Sequence, residues 1–77
     1  MTSDIPEPRW VSAEGEVISC TEKLKVLRQN LEEIRQVTQD AFEDALLMGC
    51  DEKQVRDVFT QLVASLDNPY DPDAKAE

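Results

Sequence analysis

Residues 17–50 read VISCTEKLKVLRQNLEEIRQVTQDAFEDALLMGC, and their spacing decides the fold. Every seventh residue from Val17 gives Val17, Leu24, Leu31, Thr38 and Ala45. The interleaved series gives Cys20, Leu27, Ile34, Ala41 and Met48. This is an a/d heptad, the pattern of a helix built to meet another helix. It predicts how the chain assembles and leaves open what the assembly is for.

Outward from the heptad, the same residues predict a long first helix. It is expected to begin between Ser12 and Glu16, with Gly15 tolerable as an N-cap and Glu14 and Glu16 near the positive end of the helix dipole. From Glu16 to Met48 there is no Pro and no Gly. Leu, Glu, Gln, Arg and Ala dominate, all good helix formers. Gly49 then suits the left-handed position that ends many helices. Asp51 follows as an N-cap, with Gln54 placed to close a capping box. The sequence Gly49-Cys50-Asp51 therefore predicts a tight turn into a second helix, from about Glu52 to Leu66. On that helix Val55, Val58, Phe59, Leu62, Val63 and Leu66 fall on one face. Asn68-Pro69 is expected to end it.

The expected organisation is a Pro-containing tail at 1–14, a helical hairpin at 15–67 and an acidic tail at 68–77. The fold class is all-α. The hairpin core is expected from Phe42, Ala45, Met48, Val55, Phe59, Leu62 and Leu66. With only one Trp, one Tyr and two Phe in 77 residues, such a core is thin, and small chains need further support. Helix 2 is too short to reach Leu24, Leu27 and Leu31. Leaving a Leu in water costs about 1.5–3 kcal/mol relative to burial. A second copy is the simplest cover, so a homodimeric four-helix bundle is expected. Its interface would use Val17, Cys20, Leu24, Leu27, Leu31, Ile34, Thr38 and Ala41. An antiparallel pair sets Leu24 against Ala41, Leu27 against Thr38 and Lys23 near Asp44, at the cost of bringing Arg28 near Arg35. A parallel pair sets Lys23 against Arg28. Exposed charge pairs are weak, so packing favours the antiparallel arrangement.

The net charge of −9 argues against nucleic acid, whose phosphates need clustered Lys and Arg. It also argues against anionic membrane surfaces. No apolar run approaches the roughly 20 residues of a membrane span. Residues 1–10 lack the basic start and apolar stretch of a secretory signal, so a cytoplasmic setting is expected, where Cys20 and Cys50 would stay reduced.

Little chemistry is expected. There is no His, which removes the Ser-His and Cys-His pairs of nucleophilic catalysis and the Glu-x-x-His pairs of bundle diiron sites. With just two Gly there is no phosphate-cradling loop, and Asp51-Glu52 lacks calcium-loop spacing. Cys20, at a d position, is expected to be a small buried hydrophobe. Cys50 fits a hydrophobic-staple position beside the turn. Asp40, Glu43 and Asp44 read as a solvated face. No enzyme activity, cofactor or metal is expected.

The expected architecture resembles the dimeric helical hairpins of Rop-like bundles, a likeness of shape alone. Rop-type RNA binding would want a basic face. Only Lys23, Lys25, Arg28 and Arg35 supply one here, as a local strip on an acidic chain. The leading expectation is a non-enzymatic interaction module: a dimeric adaptor, co-chaperone or regulatory subunit. Its candidate partner contacts are Trp10, Lys25, Arg28, Arg35 and Tyr70. Trp10 either packs back onto the helix start or anchors a partner, as exposed Trp often does. The alternatives are a metal- or ligand-dependent protein using Cys50 with Asp40, Glu43 and Asp44, and an RNA-binding dimer.

Overall fold

The computed structural model describes residues 7–70. It is all-helical, with a long α1 at Thr21–Leu47 and a shorter α2 at Glu52–Ala64. Two compact units divide the chain between Ala41 and Phe42, inside α1. The tail expectations for 1–6 and 71–77 lie outside the described residues.

In the first unit, the segment before α1 is not helical. Val11 and Val17 form an antiparallel β-bridge. Ser12 N–H donates to the Glu16 carbonyl at 2.8 Å, Gly15 N–H to the Ser12 carbonyl at 2.9 Å, and Ile18 N–H to the Trp10 carbonyl at 2.9 Å. Gly15 holds φ +88°. Together these make a three-residue turn, Ala13-Glu14-Gly15, whose last position is left-handed. The Ser12 hydroxyl accepts from the amides of Glu14 and Glu16, both at 3.2 Å, so the turn's inner donors are satisfied. β-branched Val11, Val17 and Ile18 favour this extended pairing. Helix 1 therefore starts several residues later than its heptad suggests. Val17 lies in the bridge, Cys20 flanks the helix, and the helical register begins at Leu24.

The second unit holds the helix–turn–helix. Gly49 N–H donates to the Leu46 carbonyl and Cys50 N–H to the Ala45 carbonyl, each at 3.0 Å. With Gly49 at φ +96°, this is a Schellman ending, which satisfies carbonyls that α1 would otherwise leave open. Asp51 then caps α2: its carboxylate accepts from Gln54 N–H at 2.9 Å. The turn thus closes one helix and opens the next in three residues. Beyond it, Phe42 and Phe59 meet edge to face, with ring centroids 6.5 Å apart at 65°. The Arg56 guanidinium lies 4.6 Å from the centre of the Phe42 ring, a cation–π contact. Helix 2 ends at Ser65, whose hydroxyl turns back to the Leu62 carbonyl at 2.8 Å. The end therefore comes before Asn68-Pro69. Asn68 instead accepts from Tyr70 N–H at 2.9 Å, a local turn of its own.

Core burial is sparse. Among the described residues Val55 is buried, at 7% exposure, and Phe42, Ala45 and Phe59 are half-buried. The remaining expected core positions, Met48, Leu62 and Leu66, are exposed at 78%, 61% and 72%. The physical reason is geometric. One helix can cover only one side of another, and the turn delivers Val55 and Phe59 to that side.

Because an L side chain in the left-handed region costs about 1–2 kcal/mol, Gly49→Ala should lower stability by about that much. Urea unfolding followed by circular dichroism will read it.

Candidate functional site

The described residues hold no grouping of three or more His, Cys, Asp or Glu side chains that could bind a metal ion. The buried side chains leave no polar atom without a hydrogen bond. None of the described helices is long and apolar enough to cross a membrane. The chemistry the surface offers is therefore apolar contact, exposed charge and two free thiols, on Cys20 and Cys50.

Asp40 of the acidic cluster accepts from the Gln36 side chain at 3.0 Å. On α2, Lys53 pairs with Asp57 and Arg56 with Glu52, each at 3.0 Å and exposed. Such i,i+4 pairs support the helix by a few tenths of a kcal/mol. They also occupy α2's two cations in neutral pairs, so the apolar row beside them has no free positive charge from α2.

The expected interface residues divide by environment. Leu24, Leu27 and Leu31 are half-buried, while Ile34, Thr38 and Ala41 are exposed. The cover over the leucines comes from within the chain. Trp10, Ser12 and Ile18 alternate along the bridged segment and are half-buried, whereas Val11 and Val17 on its other face are exposed. Alternation places the first set together on one side. Glu7, at the start of the same segment, forms an ion pair with Arg28 of α1. On a helical wheel Arg28 lies beside Leu24 and Leu31. The segment Glu7–Cys20 is thus a strap tied beside Leu24 and Leu31 through that pair, and its Trp10 and Ile18 are half-buried. The expectation that the leucines lie bare in one chain gives way to half-burial.

Of the candidate partner contacts, Trp10 and Arg28 belong to the strap's attachment. Lys25, Arg35 and Tyr70 are exposed, Tyr70 almost fully. Val58 and Val63, placed on the apolar face of helix 2 by their spacing, are also exposed and extend the row of Leu62 and Leu66.

Cys20 is exposed in the single chain. Its carbonyl accepts from Leu24 N–H at 3.0 Å, which makes it the N-cap of α1. Its sulfur receives the backbone N–H of Lys23 first and of Glu22 second, and these donors lower the thiol pKa below its ordinary value; the Lys23 charge adds a smaller push in the same direction. A thiolate bonded by helix N-terminal amides is favoured over the thiol. Cys50, beside the turn, is exposed.

No protein-family model matches the chain, and neither a curated protein nor a solved structure matches it. The reading of function therefore rests on the residues themselves.

In a Cys50→Ser chain, the rate of Cys20 alkylation should rise with pH through a lower midpoint when folded than in concentrated urea. The depressed pKa puts the thiolate in place at lower pH only while α1's amides are ordered. Equal midpoints would show that the helix does not stabilise the thiolate.

Proposed function

We propose that this chain is a non-enzymatic protein-interaction module that self-associates into a homodimer, a four-helix bundle of paired hairpins acting as an adaptor or regulatory subunit. The observation that supports it is the near absence of a core. Val55 is the buried hydrophobe of the described residues, while Leu47, Met48, Leu62 and Leu66 stand 88%, 78%, 61% and 72% exposed. Scattered apolar residues on a surface need no explanation, but a row along one helix beside an exposed helix end does.

Magnitudes favour association. Covering these side chains in both copies recovers on the order of 10–20 kcal/mol. Two chains lose roughly 4–15 kcal/mol of freedom on joining. The surplus suits a micromolar dimer, at about 8 kcal/mol. A symmetric dimer is the simplest assembly that uses one surface twice. The exposed Ile34, Thr38 and Ala41 continue the a/d register of α1 beyond the strap, and a register of this kind fits a second helix.

Sedimentation equilibrium of the pure chain should show a dimer at micromolar concentration. A fully helical monomer there would overturn the reading, as would stoichiometric metal in protein purified under reducing conditions. Leu62→Glu replaces an exposed side chain, so it should leave the helicity of the single chain intact. It should weaken the dimer by at least about tenfold, because a charge would enter the apolar contact.

A further inference from the structure

We infer that the strap Glu7–Cys20 is an internal competitor of the second subunit for the leucine face of α1, so that self-association and strap release are one event. The inference rests on the homodimer reading and adds a regulated surface to it.

Three observations place strap and partner on the same surface. Leu24, Leu27 and Leu31 carry the heptad spacing that suits a helical partner, yet they are half-buried in the single chain, and Glu7 of the non-helical segment pairs with Arg28 beside them. The heptad continues into Ile34, Thr38 and Ala41, which are exposed. One continuous seam is therefore capped over its first part and open over the rest. A second α1 laid along the open part meets the strap at Leu31 and can go further only by displacing it.

The strap is built to detach. Glu7 of the strap pairs with Arg28 of α1, both side chains more than half exposed, and exposed pairs hold weakly. Its own turn depends on a few backbone bonds and on Gly15 at positive φ. It keeps its place by being tethered, since a short tether gives an effective concentration in the millimolar range. The competition is then a matter of concentration. The strap wins in dilute solution, where its tethered concentration exceeds that of free chains. The second subunit wins when chains are abundant or when the strap is weakened. Each subunit must open its own strap, so a tenfold loss of strap closure tightens the dimer by up to roughly 100-fold.

The chain carries one Trp, Trp10, and it is half-buried within the strap. Its fluorescence therefore reports strap release directly. In the full-length protein, Trp10 emission should shift to the red as concentration drives monomer to dimer, in step with sedimentation. Gly15→Val, which strains the turn without touching the seam, and Glu7→Lys, which sets two cations against each other, should red-shift Trp10 at low concentration. Both should tighten the dimer between several-fold and roughly 100-fold. A wild-type dimer that forms with no change in Trp10 emission overturns the competition and leaves the dimer standing. So does either variant that releases Trp10 but leaves the dimer constant unchanged or weaker. Absence of a dimer in the wild type and in both variants removes the homodimer reading itself.

Discussion

An amphipathic helix needs a second layer, and this chain supplies too little of one. The constraint follows from shape: a stripe along a cylinder is buried only where another element lies on it. Thirteen residues of α2 cannot cover twenty-seven of α1. Everything distinctive about the molecule answers that shortage. Aromatic contact is concentrated where the helices turn, between Phe42 and Phe59. The front of α1 has a non-helical strap tied beside it through Glu7 and Arg28. The rest of the apolar surface stays in water.

The turn was the most legible part of the fold, because each of its constraints is local. Gly49 must accept positive φ, Asp51 must present an acceptor three residues before Gln54, and no distant residue can alter either demand. Phe42 and Phe59 followed from it, since a short turn pairs positions nearly equidistant from its centre. Met48, Leu62 and Leu66 are exposed in the single chain for a related reason. Periodicity shows which residues share a face, but it does not show whether anything lies on that face.

The N-terminal segment was misread because two signals compete there. Val17 and Cys20 continue the seven-residue spacing of α1, and the spacing alone extends the helix. The local residues argue otherwise: Val11, Val17 and Ile18 are β-branched, and Gly15 sits where a three-residue turn needs a left-handed residue. Ser12 adds a side-chain acceptor for the turn's amides. Local chemistry won, since a helix through Gly15 would have no comparable use for these groups. Cys20 then fell at the helix start, where a sulfur takes the place that Ser, Thr, Asp or Asn usually fills. The residues of the candidate surface were legible as apolar or charged. Their division between covered and open required the strap, which no spacing rule shows.

A strap and a second subunit would satisfy the same leucines in ways that differ in how they depend on concentration. An intramolecular cover is independent of how much protein is present, whereas an intermolecular one strengthens with it. A chain that needed only a stable fold would gain from a tight strap of apolar contacts. A chain that needed only a permanent dimer would leave the seam open. Here the cover is partial, its ion pair is exposed, and its turn hangs on one glycine. That combination suits an equilibrium between two covers, with the acidic surface opposing close approach of two copies and the uncovered leucines favouring it. Under the proposed competition, self-association would be adjustable through small changes at Glu7, Arg28 or Gly15, residues outside the apolar seam.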